Sequence, residues 1–218
     1  MTTRASRNAI WNILAALGLV ILALPFAVYA MEKGLKFDNP EERATSRLFH
    51  DEALVASATL YFHMVSGALI TMLAPLQVLR VIRGRWPIIH RLSGYCVAVL
   101  AVATALAGLY YIALLGTIGG AVMNAGFALY GCLMLLAAWQ TVRYARRRHP
   151  LHGLWAGRLI ILALASWLYR VHYGIWDLAT GGLGSQPDFS GSFDLVQVFA
   201  FYLPYLAIHH FWWHARHG

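Results

Sequence analysis

Three histidines are each followed by a glycine four residues on: His63 by Gly67, His90 by Gly94 and His149 by Gly153. Four residues is one helical turn, so in a helix each glycine opens a gap on the face its histidine occupies. His63 lies near the middle of an apolar run from Ala53 to Leu79, accompanied by weakly polar residues such as Ser57, Thr59, Ser66 and Thr71. An ionisable side chain at membrane depth is costly, and it marks a partner, a cofactor or a water cavity.

The chemistry that suits paired imidazoles in a membrane is haem ligation: axial ligands come from facing helices, and basic groups hold the two propionates. Glycine one turn from a ligand lets the porphyrin face approach the backbone. His63 falls about 15 Å into its helix at 1.5 Å per residue. His172 falls at the outer end of a later helix, two residues after Arg170, and the two histidines form an outer candidate pair. His90 and His152 open two helices on the opposite side and form an inner pair, with Arg91 and Arg158 available to propionates and Arg170 near the outer ones. Two stacked haem b groups give electrons a path across the bilayer.

Other residues admit a second chemistry. Arg170 suits an anionic substrate or a quinone headgroup. Gln77 and Arg80 follow Pro75, and Pro204 interrupts the last apolar run; such prolines free backbone carbonyls and border cavities. His210, His214 and His217 are spaced so that a continuous helix aligns them on one stripe, a spacing that suits zinc or copper, though a frayed interfacial tail explains them better. No phosphate-cradling glycine loop, His-Glu-x-x-His helix or Gly-x-Ser-x-Gly elbow is present.

These residues need membrane helices to hold them. Of 218 residues, 60% are hydrophobic and 12% charged, well below the charge of a soluble domain. Six apolar runs of about 20 residues can each span a hydrocarbon core: Ile10–Met31, Ala53–Leu79, Leu92–Gly116, Ala121–Val142, Leu154–Tyr173 and Phe193–Trp213. The expected fold is all-α, a single six-helix transmembrane domain over residues 1–218. Arginines cluster at alternate connections: Arg4 and Arg7 before the first run, Arg80 to Arg91 after the second, Arg143 to Arg158 after the fourth, and Arg216 after the last. The nine acids occupy the intervening connections or, as Asp194 does, the edge of an apolar run beside one. The positive-inside rule then places both termini in the cytoplasm. That layout assigns the net charge of +8 to topology and anionic lipid headgroups, not nucleic acid.

The first apolar run is too long for a signal peptide and reads as an uncleaved helix. Cys96 and Cys132 sit in different spans and read as small packing residues. Asn39-Pro40 followed by Glu41-Glu42-Arg43 predicts a short external helical turn, and Thr117 to Gly120 a tight hairpin. Gly181 to Pro187 reads as a flexible loop or lid.

These motifs resemble a family of predicted bacterial membrane proteins grouped as domain of unknown function 2306. The matching elements are His63, Gly67, Pro75-Leu76-Gln77 and Arg80; then His90-Arg91-Leu92-Ser93-Gly94; then His152, Trp155, Arg158 and Arg170. Where the family's last helix carries an acid, this chain has His210 after Pro204-Tyr205. The resemblance covers roughly residues 55–215 and implies a multi-pass protein of the bacterial inner membrane, with His63, His90, Arg91, His152, Arg158 and Arg170 in one site or scaffold.

The leading functional expectation is a membrane redox protein that binds haem b, with His63, His90, His152 and His172 as axial ligands. Arg91, Arg158 and Arg170 hold propionates or an anionic headgroup, and quinone or a redox protein is the partner. The alternatives are a small transporter or channel lined by His63 and Gln77 with Arg170 selecting anions, and a non-catalytic scaffold subunit gripping lipid.

Overall fold

The computed structural model describes residues 2–217, with side chains from residue 10 onward; Arg4 and Arg7, used above for topology, fall outside the described side chains, as does Gly218. Every regular element among the described residues is helical. In chain order these are α1 (Thr2–Leu35), α2 (Pro40–Thr45), a 3-10 turn over Asp51–Ala53, α3 (Leu54–Leu73), a 3-10 stretch over Ala74–Val78, α4 (Arg80–Arg85), α5 (Pro87–Leu115), α6 (Gly120–Arg146), α7 (His152–Thr180), α8 (Ser192–Ala200) and α9 (Leu203–His217). Five segments are long and apolar enough to cross a membrane: Ile10–Leu35, Asp51–Val78, Pro87–Leu115, Gly120–Arg146 and His152–Thr180. The chain is therefore an α-helical, multi-pass membrane bundle.

The prolines shape two of the predicted runs. Pro75 lies in the 3-10 stretch that tightens the end of α3. Pro204 has no N–H to offer the carbonyl of Ala200, and α8 stops at that residue. The last predicted run is thus two helices, with Phe201 and Tyr202 between them fully buried. Phe201 packs against Phe127, Tyr130 and Tyr169, and the Tyr202 hydroxyl donates to the Gly126 carbonyl at 3.1 Å. Conversely, α7 runs seven residues past Tyr173, so Arg170 and His172 lie well inside a helix rather than at its outer end.

Small residues let the helices approach without a hydrophobic driving force between them. Buried Ala23, Ala27 and Ala30 recur on one face of α1, while Leu17, Ile21, Leu22, Leu24 and Val28 on its other faces are exposed. α3 packs between α1 and α5, α5 on α6, α6 on α7, and α8 and α9 lie against α6 and α7. The main core gathers Ile70, Ala101, Met134, Leu162, Phe201 and Tyr202. Interhelical hydrogen bonds tie it together: Thr104 Oγ1 donates to Ser66 Oγ at 2.8 Å, and the Tyr130 hydroxyl donates to the Leu162 carbonyl at 2.6 Å. Cys96 and Cys132 are free thiols on different helices, both exposed on the bundle surface.

The first long connection folds into a cap. Asn39 accepts from the Glu42 backbone N–H at 3.0 Å and starts α2, as the sequence predicts. Glu42 is buried, bound by Lys33 Nζ at 2.6 and 2.8 Å and by the Tyr61 hydroxyl at 2.8 Å. Phe37, Phe49 and Tyr61 pack edge to face around this point, with the Arg43 guanidinium over Phe37 and Phe49. Burial alone pushes the Glu42 carboxyl up, but the Lys33 and Tyr61 hydrogen bonds and the Lys33 charge outweigh it and hold it below the ordinary value of 4.5. A depressed carboxylate contributes stability that is present above its unfolded pKa and lost as pH falls through the folded one. Thermal unfolding in detergent between about pH 6 and pH 3 should therefore show acid destabilisation that is reduced in Glu42→Gln. Identical pH profiles for the two proteins would refute the role of this cap.

Candidate functional site

His63 is half-buried on α3. Its Nδ1 meets the Thr104 carbonyl of α5 at 2.8 Å. Since a carbonyl only accepts, Nδ1 carries the proton and Nε2 keeps its lone pair. The ring lies against Gly108 of α5, where an added Cβ would stand 2.9 Å from Nδ1 and 3.1 Å from Cε1. The glycine that makes room for His63 is thus on a neighbouring helix; Gly67, one turn along α3, faces Thr104 instead.

His152 at the start of α7 repeats the arrangement, with Nδ1 at 3.2 Å from the Thr141 carbonyl of α6. His90 near the start of α5 is close enough to His152 and Arg83 for their charges to act on it. The Gln77 amide lies against it: oriented to suit its neighbours, it donates to His90 Nδ1 at 3.2 Å and accepts from Ser93 Oγ at 2.7 Å and from the Gly94 N–H at 3.3 Å. His90 and His152 lie within electrostatic range of one another, and the gap at Gly94 is filled by Gln77.

It does not bring the outer pair together. Residues two apart on a helix point about 200° apart. Arg170 sits over Phe26 of α1 at 4.6 Å, whereas His172 faces α8 and α9 on the other side of α7. Both ring nitrogens of His172 are engaged, Nε2 with the Tyr205 hydroxyl at 2.7 Å and Nδ1 with the Gln197 amide at 2.9 Å. His63 has Arg170, not His172, as the charged group acting on it.

The remaining candidates separate. Arg158 stacks on Trp155 at 4.5 Å and donates to His210 Nδ1 at 3.0 Å. Arg91 is exposed. Among the described residues no three His, Cys, Asp or Glu side chains gather as a metal would need. In particular, His217 stacks on Trp213 at 4.1 Å while His210 and His214 lie side by side at 4.5 Å, so the three do not converge. His209, which precedes that stripe on α9, leans on Gly157 of α7, and its Nδ1 is buried without a hydrogen-bond partner among the described residues.

The Gly181 to Pro187 segment, read as a flexible loop or lid, is pinned. Asp194 is 1% exposed and accepts from the Tyr173 hydroxyl at 2.7 Å, Ser185 Oγ at 2.9 Å, and the backbone N–H groups of Gln186 and Gly191 at 2.8 and 3.0 Å. Trp176 Nε1 donates to the Leu183 carbonyl at 2.7 Å.

Thr104, Gly108, Thr141, Gln197 and Tyr205 are the partners that the sequence did not identify. Two are backbone carbonyls, which carry no residue signature, and Gly108 is one of several glycines in apolar spans. Gln197 alone had a signal, as an amide in an otherwise apolar run. No family model matches the chain, and no curated protein or solved structure is similar to it.

Proposed function

We propose that this chain is an integral membrane redox protein of the bacterial inner membrane that binds haem b through histidines and exchanges electrons, with quinone or a redox protein as partner. The observation that carries the reading is the state of His63 and His152. Each donates Nδ1–H to a main-chain carbonyl of a neighbouring helix, and its Nε2 makes no hydrogen bond among the described residues. This is the support that fixes the tautomer and orientation of a ligating imidazole. His172 does not fit, because both its nitrogens are occupied.

In this reading His63 and His152 hold iron. His90 completes the inner pair when Gln77 turns its amide to accept from Nδ1–H, and Arg91 and Arg158 hold propionates. Bound haem supplies one-electron chemistry between ferric and ferrous iron. The protein's own residues set imidazole orientation through Thr104 and Thr141 and exclude water with the aromatic core. The likeness to the domain-of-unknown-function 2306 family belongs to the same proposal, as does the topology: α8 and α9 together supply about 36 Å of helix at 1.5 Å per residue, enough for a sixth crossing that returns the C-terminus to the cytoplasm.

Purification in mild detergent from haem-replete cells tests it. The expected result is a Soret band that shifts on dithionite reduction, with haem content lowered by about half in His63→Ala and in His152→Ala and unchanged in His214→Ala. A folded, colourless wild-type protein would overturn the proposal.

A further inference from the structure

Arg170 is a guanidinium with no counter-ion among the described residues. The ion pairs among the described residues are Lys33 with Glu42 and Arg43 with Asp38. Asp194 is committed to Tyr173 and the 185–191 segment, and Asp188 to Ser190. The guanidinium makes one hydrogen bond within the protein, Nη1 to the Ser166 carbonyl at 3.1 Å, and rests on the Phe26 ring. Guanidinium has five N–H donors, so most of its capacity is unspent.

The direction of that one bond matters. Ser166 is the midpoint of α7, which runs from His152 to Thr180. An arginine solvated by snorkelling reaches towards the nearer membrane face. Arg170 instead folds back towards the bilayer centre, from a Cα about 6 Å from the helix midpoint. The side chain is nevertheless exposed on the bundle surface. It closes the seam where α1 meets α7 around Ala23, Leu164 and Trp167. Tyr29, one turn beyond Phe26 on α1, is 56% exposed, lies near enough for charge to couple it to Arg170, and makes no hydrogen bond among the described residues. A cation and a phenol therefore face lipid together, at a depth where unsatisfied donors are expensive.

We infer that the α1–α7 seam at Arg170 and Tyr29 is a binding site for the anionic oxygen headgroup of a membrane amphiphile, a carboxylate or a phosphate, which enters from the lipid phase. Arg170 supplies a charge-assisted, two-pronged contact and Tyr29 a further donor, while the tail lies along the exposed Leu22 face of α1. A soluble anion would have to cross hydrocarbon to arrive, so the ligand carries its own apolar tail. The lipid-binding readout needs no haem, so its failure is distinguishable from failure of the redox reading.

Binding of palmitate, hexadecanol and phosphatidylglycerol to the purified full chain, by native mass spectrometry and lipid-dependent thermal shift, tests it. Palmitate, phosphatidylglycerol or both should bind, and hexadecanol should not; which of the two binds identifies the headgroup. Arg170→Gln should weaken binding by about tenfold or more, Arg170→Lys by less, and Arg80→Gln not at all. Arg170→Gln removes a lone charge and should fold, as the wild-type-like thermal transition without lipid will register. Equal binding of hexadecanol, no binding of either anion, or binding unchanged in Arg170→Gln overturns the site.

Discussion

Asp194→Ala is expected to lower stability by about 3–5 kcal/mol. A hydrogen bond to a charged group contributes about 1.5–3 kcal/mol, and the loss is less than additive where partners share one acceptor. Here four donors converge on one carboxylate: the Tyr173 hydroxyl, the Ser185 hydroxyl and the N–H groups of Gln186 and Gly191. The last of these is also the start of α8, so the deletion uncaps a helix while it frees the connecting segment. Tyr173 has a second contact, the Tyr169 hydroxyl at 3.3 Å, and will lose less than the backbone groups. Thermal unfolding in detergent measures the total. Limited proteolysis localises it: residues 181–191, resistant in the wild type, should be cut first in the variant. A melting temperature within a degree or so of wild type, with unchanged cleavage, would show that Asp194 is not the anchor.

Gly34→Ala should be nearly as damaging, at about 2–3 kcal/mol, the upper part of the range for overpacking. The added methyl would stand 2.6 Å from Val65 Cγ2, 2.7 Å from the Tyr61 carbonyl oxygen and 3.0 Å from the Val65 backbone nitrogen. A side chain can turn aside, but two of these three atoms are main chain of α3, so relief requires α1 and α3 to separate. Separation would also stretch the Lys33–Glu42–Tyr61 bonds one residue away. Gly18→Ala is the control on the same helix: nothing lies within 4 Å of the new methyl, and helix propensity alone makes the change neutral or stabilising. Equal melting temperatures for the two alanine variants would remove the argument that α1 and α3 touch through their backbones at Gly34.

Local patterning made much of this molecule legible before any coordinates. Length and apolarity located the five long apolar helices, because a bilayer sets a minimum run of apolar residues and tolerates little charge within it. Short-range turn chemistry was also readable: Asn39-Pro40 starts α2, and the turn at Thr117 is closed by the Asn124 side chain accepting from its N–H and hydroxyl at 2.6 and 2.7 Å. The ends of α7 were less visible. The fifth apolar run ends at Tyr173, yet the helix continues to Thr180 and stops at Gly181 in a left-handed conformation with φ of 65°.

Which polar side chains meet was beyond the sequence. The spacing of His63 and Gly67 placed a histidine and a gap on one helix face, but the gap that receives the ring is Gly108, 45 positions along the chain. Arg170 and His172 are adjacent in sequence and opposed in space, because two residues on a helix cover more than half a turn. The composition of each helix determined that these residues would be carried into a membrane. Only the packing of α1, α3, α5, α7 and α9 against one another decided that His63 would rest on Thr104, that His172 would close on Tyr205, and that Arg170 would lie over Phe26 at the bundle surface, since helix rotation is set by which small residues meet across each seam.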